Sequence, residues 1–403
     1  MILVVCLNPA LDITHHVPVV DWAGVNRPRT VEVRPGGKGV NVARTLLALG
    51  EEVLVTGLAG GANGQALTAG LADLGVPAHL TPIAGETRRT FAVADEARAT
   101  VALFNEPGPP VLAAEFAEFL FAYKGQLDGC AAVVLSGSLP PGLPADTYAT
   151  LIRTAGAIRP GLSSEPEHTS HRGNTNHRSN SSHRGNTDHR SNSSHQSNAS
   201  DQGNISLSSH QDHEGRLSHT GNWGHAGVPV ILDASGEALR LGVAAGPAVV
   251  KPNLAELEDL AGQPLSLAGD GTGRPSIASA AAELRSAGAE AVVVSLGPAG
   301  LYADTAAGGW RVVPPPVDAA NPTGAGDAVL AGLTRGLVRD EPWPDRLRSA
   351  AALGTASALA PVAGEFGWDD YQRVLAGVTL NEMPPARYGS AEDPGHQRNG
   401  GAG

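Results

Sequence analysis

Residues 131–135, 230–232, 248–250 and 291–295 are short apolar runs, and helical stretches such as 144–157 and 277–287 lie between them. A strand that is apolar on both faces has no solvent side, so it must sit in a sheet covered on each face. Strand–helix–strand repetition of this kind implies an α/β fold: a central, mostly parallel sheet with helices on both faces. Nearer the start, residues 1–7 and 53–58 read as further strands, and 40–49 and 65–74 as helices stopped by Gly50 and Gly75. The alternating segments near 13–35 and 87–104 do not suit that sheet. They are expected to form a second, small β-sheet placed as a lid.

Residues 160–225 depart from this pattern. They hold ten of the 14 histidines and are dominated by Ser, Asn, Gly and Arg. A repeat is visible: SHRGNTNHRSNS from Ser170, SHRGNTDHRSNS from Ser182, and a decayed SHQSNASDQGNI from Ser194. With almost no apolar residues, the repeat buries nothing that could offset the entropy of ordering it, so a disordered insertion is expected. Metal capture by its histidines is the sharper alternative. Their spacing, without Cys or carboxylate partners at fixed offsets, is poor ligand geometry.

The formal charge is −12, from 28 Lys and Arg against 40 Asp and Glu, which argues against nucleic-acid or anionic-membrane partners. An anionic substrate would need a few placed cations and backbone N–H groups. No apolar run approaches membrane-spanning length. The opening MILVVCLNPALDI has no basic segment and turns polar at once, so it reads as a first strand and not as a signal peptide. Cys6 and Cys130 each lie in an apolar run, as core thiols do, and suit a reducing cytoplasm.

Chemistry concentrates in loops that follow strands. Asn321-Pro-Thr-Gly-Ala-Gly-Asp327 runs into the helical AVLAGLTRGL. Backbone N–H groups at a helix start are unpaired and carry partial positive charge. Gly324, Ala325 and Gly326 leave room for a phosphate against them, with the Asp327 carboxylate beside it as a base for an attacking hydroxyl. Taken alone, the segment is equally an ordinary Gly-rich turn with an Asp near a helix start. A Walker A loop is excluded, because Gly37-Lys38 is followed by Gly39 and has Glu32 where the first Gly belongs. A dinucleotide fingerprint is excluded, because Val329 stands where the third Gly is needed.

In Pro35-Gly-Gly-Lys-Gly-Val-Asn41, Gly36 and Gly37 allow a turn open to a ligand, Lys38 supplies a cation, and Asn41 is donor and acceptor. With Asp12 they could hold a polyhydroxy ligand; the plainer roles are a loop carboxylate for Asp12 and a cap for Asn41. Arg88 and Arg89 are by default solvated charges, and gain meaning only if the substrate carries phosphate. Ser136-Gly-Ser-Leu-Pro-Pro-Gly142, Lys251-Pro-Asn-Leu-Ala-Glu256 and Ser295-Leu-Gly-Pro-Ala-Gly300 each follow an apolar strand, where ligands of open α/β sheets bind. Asn253 and Glu256 offer hard oxygens to Mg²⁺.

In order, NPALD, PGGKGVNVARTLLALG, SGSLPPG, LDASGEAL, KPNLAELEDL, VVVSLGPAGL and GAGDAVLAGL resemble the PfkB carbohydrate kinases, in the branch of 1-phosphofructokinase and tagatose-6-phosphate kinase. The resemblance implies a ribokinase-like domain over residues 1–385, with the insertion at 160–225 and a flexible tail at 386–403. It implies ATP and Mg²⁺, a phosphorylated ketohexose as acceptor, and a homodimer through the lid. By the same matching, Asp327 is the base and Gly324, Ala325 and Gly326 the anion hole. Asp12, Gly36, Gly37, Lys38, Asn41, Arg88 and Ser138 would hold the sugar phosphate. Lys251, Asn253, Ser295, Gly297 and Gly300 would serve ATP, and Asn253 and Glu256 the metal. Two positions depart from the family pattern: Asn321-Pro-Thr replaces Asn-Thr-Val, and Ala328 replaces Ser. Neither removes the base or the backbone donors. A sugar-phosphate-binding regulator on the same fold is the non-enzyme alternative, and the intact Asp327 and its glycines argue against it.

Overall fold

The structure, a computed structural model, describes residues 1–98, 100–157, 227–266 and 274–383. The expected insertion (160–225) and tail (386–403) lie outside the described residues. Strand β1 (Ile2–Cys6) is buried along its whole length. Strands β2 (Ala10–Val17) and β3 (Thr30–Gly36) leave the main layer, and α1 (Lys38–Ala48), β4 (Val53–Gly60), α2 (Gly61–Asp73) and β5 (Ala78–Ile83) return to it. Next come β6 (Arg88–Asp95) and β7 (Thr100–Asn105), then α3 (Ala113–Gln126), β8 (Ala132–Ser136) and α4 (Thr147–Gly156). From residue 227 on follow β9 (Val230–Asp233), α5 (Gly236–Val243), β10 (Val249–Val250), α6 (Leu254–Ala261), α7 (Ile277–Ser286) and β11 (Val292–Ser295). The chain continues through β12 (Leu301–Thr305), β13 (Gly308–Val313), α8 (Ala325–Val338), α9 (Trp343–Leu359), α10 (Trp368–Gly377) and β14 (Thr379–Met383).

Among the described residues the main sheet has the order β14-β13-β12-β11-β10-β9-β8-β1-β4-β5. Its pairs are parallel from β11 through to β5, and β12, β13 and β14 add an antiparallel flank. Successive side chains of a strand point to opposite faces, and the two cores follow that alternation. Leu3 and Val5 of β1 pack with Phe119 and Tyr123 on one face. Ile2 and Val4 pack with Val40 of α1 and Leu330 of α8 on the other. The sheet is therefore mostly parallel and covered on both sides, in a ribokinase-like fold.

The alternating segments do form a separate sheet, ordered β3-β2-β6-β7. Helix α1 starts at Lys38, earlier than the expected residue 40, and α2 starts at Gly61, not 65. Cys6 and Cys130 are free and buried. Among the described residues no helix is long and apolar enough to cross a membrane.

Candidate active site

A cleft of about 1470 Å³ lies over the carboxyl ends of the parallel strands and under the small sheet. Of the candidate site residues, Gly36, Arg89 and Glu256 do not line it, and the others do. Strand register explains part of this convergence. Extending the pairing of β1 with β8 by one residue sets Cys6 beside Ser136; Ser136 pairs with Asp233, and one step beyond Leu232–Val250 sets Asp233 beside Lys251. Their inner neighbours alternate between the two cores, so this row faces α1 and α8. Cys6 stays a neutral thiol, since burial pushes its pKa up to about 11.

Gly324 is the N-cap of α8, with φ 84°. A Cβ there would meet the Ala363 Cβ at 2.9 Å and the Gly364 N at 3.1 Å, so the positive φ and the close approach both call for glycine. Asp327 follows in the first turn and is only 6% exposed. Its Oδ2 accepts a hydrogen bond from Asn41 Nδ2 at 2.9 Å. Burial pushes its pKa up to about 7, the Asp233 carboxylate adds to that, and Asn41, Lys38 and Lys251 work against it. A carboxylate with a pKa near neutrality, at a helix N-terminus that can take anionic charge, is suited to remove a proton from a hydroxyl.

Asp233 was not singled out from the sequence, although LDASG follows a buried strand. Its functional meaning depends on residues from other elements. Lys251 Nζ lies 3.4 Å and Lys38 Nζ 3.6 Å from Asp233 Oδ1. Both Asp233 oxygens are buried and accept no hydrogen bond. Such a carboxylate is costly unless cations approach it, so a divalent ion would suit it. Asn253 instead spends its side-chain oxygen on capping α6, accepting from the Glu256 N at 2.9 Å, while Glu256 Oε2 accepts from the Asn253 N at 2.8 Å. Glu256 Oε1 faces Lys38 at 3.8 Å. Among the described residues no three His, Cys, Asp or Glu side chains gather as a metal cage. Mg²⁺ needs only one or two carboxylates beside substrate phosphates and water, and Asp233 with Glu256 meets that requirement.

At the lid end, Asp12 on β2 is half-buried, and a Cβ on Gly36 would fall 2.0 Å from its Oδ2. Gly36 thus makes room for Asp12 and does not form a loop open to a ligand. Burial raises the Asp12 pKa against the pull of Thr90, Arg88 and Arg44. Arg88 is tied down by its Nε donating to Asn8 O at 3.0 Å and its Nη1 to Glu106 O at 3.2 Å. Arg89 instead binds the Glu106 carboxylate and covers the Phe91 ring. Ser138 Oγ accepts from Asn8 Nδ2 at 3.2 Å. At the opposite end, Ser295, Gly297 and Gly300 line the cleft beside the 313–317 segment. The 363–365 loop is held against α1 by Arg44, which donates to Ala363 O at 2.9 Å and to the Glu365 carboxylate.

Comparison with known proteins bears on the family and the fold. The model of the pfkB family carbohydrate kinases matches residues 3–165 and 204–368. Escherichia coli phosphofructokinase-2 in complex with potassium is 28% identical with a TM-score of 0.71, over 93% of this chain and 98% of that one. The same enzyme in complex with fructose-6-phosphate gives 28% and 0.68 over the same shares of the two chains. A Thermotoga maritima protein described as a possible 1-phosphofructokinase shares the fold, at 22% identity and a TM-score of 0.67 over 95% of this chain and 99% of that one.

Proposed function

The chain belongs to the pfkB family of carbohydrate kinases, and from there we propose that it transfers the γ-phosphoryl group of ATP to a hydroxyl of a phosphorylated ketohexose, fructose 1-phosphate above all. The observation that carries this reading is Asp327, a buried carboxylate with a pKa of about 7 at the start of α8. The hydroxyl oxygen bonds to the γ-phosphorus as the bond from that phosphorus to the β–γ bridging oxygen breaks. The hydroxyl proton passes to Asp327, and ADP and a sugar bisphosphate leave. The backbone N–H groups of Gly324, Ala325 and Gly326 take up charge on the transferring group. Asp12, Asn41, Arg88 and Ser138 orient the sugar phosphate, and the Lys251, Ser295, Gly297 and Gly300 region receives ATP. Mg²⁺, held by Asp233 and Glu256, would offset the phosphate charge.

A tagatose 6-phosphate acceptor remains the alternative within the motif set. Fructose 6-phosphate is a second reading, and the likeness to Escherichia coli phosphofructokinase-2 in complex with that sugar supports it. A homodimer through the lid is supported by apolar side chains exposed on it, Val31, Val33, Val101 and Phe104 among them. Buried free thiols suit a cytoplasmic enzyme. An ATP-consumption screen over fructose 1-phosphate, fructose 6-phosphate, tagatose 6-phosphate and free fructose tests the reading. Turnover on a phosphorylated ketohexose well above that on fructose is expected, and a preference for free fructose would overturn it.

A further inference from the structure

The segment NPALD opens on Asn8, which lies between the end of β1 at Cys6 and the start of β2 at Ala10. Asn8 therefore stands where the chain passes from the main sheet into the small one. Two other crossings meet it there. Arg88 opens β6 and pairs with Ala10 of β2, and Glu106 and Pro107 follow the end of β7. Asn8 is only 6% exposed, so its amide must find partners within the protein.

The side chain bridges that crossing. Asn8 Nδ2 donates to Pro107 O at 3.0 Å and to Ser138 Oγ at 3.2 Å. A carbonyl can only accept, so the Pro107 contact settles which end of the amide is the nitrogen. The backbone O of Asn8 accepts from Arg88 Nε at 3.0 Å, and Glu106 O accepts from Arg88 Nη1 at 3.2 Å. One residue thus ties the base of the small sheet to the loop after β8. Gly108 makes room for it: its φ is 96°, and a Cβ there would fall 2.3 Å from Asn8 Oδ1.

We infer that Asn8 is a positioning residue for recognition of the phosphate that the sugar already carries, and that it acts through Arg88. An arginine free to turn loses rotamer entropy each time it takes a phosphate, and one already held in place has less to lose. Asn8 sets both carbonyls that hold Arg88: its own directly, and that of Glu106 through the bond to the neighbouring Pro107. Ser138 anchors the bridge to the main sheet. Asp327 and the α8 backbone lie outside it. This inference rests on the kinase reading above.

The test is a double-mutant cycle on the full-length protein, with wild type, Asn8→Ala, Arg88→Ala and the double variant. Kinetics are measured with ATP and the sugar phosphate that the wild type uses best. Asn8→Ala alone should raise the KM for the sugar phosphate by about five- to tenfold, the worth of one or two neutral hydrogen bonds. Its kcat and its KM for ATP should stay within about twofold of wild type. Added to Arg88→Ala, the same change should raise the sugar-phosphate KM by less than about twofold, since the group it positions is gone. Gly108→Ala pushes on the Asn8 amide from the other side and should show the same split, which carries the test if Asn8→Ala does not fold. An equal rise in KM in both backgrounds would overturn the inference, because Asn8 would then act without Arg88. An unchanged sugar-phosphate KM, or one raised together with the KM for ATP, would also overturn it and leave Asn8 as a tie within the fold. A wild type that turns over no sugar phosphate with ATP would instead sink the kinase reading, an outcome distinct from these.

Discussion

Asp327→Asn should abolish turnover and, at the same time, stabilise the protein in a pH-dependent way. The carboxyl of Asp327 has a pKa of about 7 in the folded chain against an ordinary 3.8. Between those values the folded state holds a proton that the unfolded state releases, so wild-type stability falls as pH rises through the window and levels off above it. At 1.36 kcal/mol for each pH unit, the whole cost comes to about 4 kcal/mol at pH 8 and vanishes below about pH 4. Asparagine carries no charge to bury, and its amide oxygen can still accept the hydrogen bond from Asn41. Urea unfolding of wild type and Asp327→Asn at pH 5 and pH 8 reads the effect. The variant should gain about 4 kcal/mol at pH 8 and clearly less at pH 5, where about 1 unit of the window has been crossed. Its kcat should drop by at least about 10²–10⁴, the worth of a general base. Equal stability differences at the two pH values would refute the burial argument, and a near wild-type kcat would refute the assignment of the base.

Arg88→Ala should raise the KM for the sugar phosphate by about tenfold or more, one charge-assisted contact of roughly 1.5–3 kcal/mol, and leave the KM for ATP nearly unchanged. It should narrow the gap between phosphorylated and free sugar, and equal losses on both would make Arg88 a support of the lid. In Gly324→Ala, the left-handed backbone and the Ala363 contact at 2.9 Å should cost about 1–3 kcal/mol of stability and lower kcat by displacing the α8 N–H groups; unchanged kcat would remove them from the anion hole. Replacing residues 160–225 by a short Gly/Ser link should leave kinetics and melting temperature nearly unchanged, because their sequence offers almost no apolar side chains to bury and loop-closure cost grows slowly with length. A collapse of stability or a large rise in KM would contradict that.

The parallel strands were legible because each is a short apolar run bounded by polar loops. The lid was legible because its segments alternate. The antiparallel flank was not: LYADT mixes Asp304 and Thr305 into β12, GGWRVV opens β13 with two glycines, and TLNEM in β14 has little apolar character. Strand β5 carries Pro82, which is tolerated there because β5 lies at the sheet edge. In the site, Asp327 and its glycines declared themselves through local sequence, since a helix start and its carboxylate are neighbours in the chain. Asp233 did not, because its buried oxygens acquire meaning only from Lys38, 195 positions before it, and from Lys251 on another strand. The same distance in sequence hid the true neighbours of Lys38.

The most direct measurement is phosphorus NMR of the reaction of ATP with fructose 1-phosphate, run with wild type and with Asp327→Asn. Wild type should convert the sugar phosphate to a bisphosphate with one ADP formed per product, and the variant should leave both reactants unchanged on the same timescale. ATP loss without a sugar bisphosphate, or bisphosphate formed by Asp327→Asn at close to the wild-type rate, would contradict a sugar-phosphate kinase that works through this carboxylate.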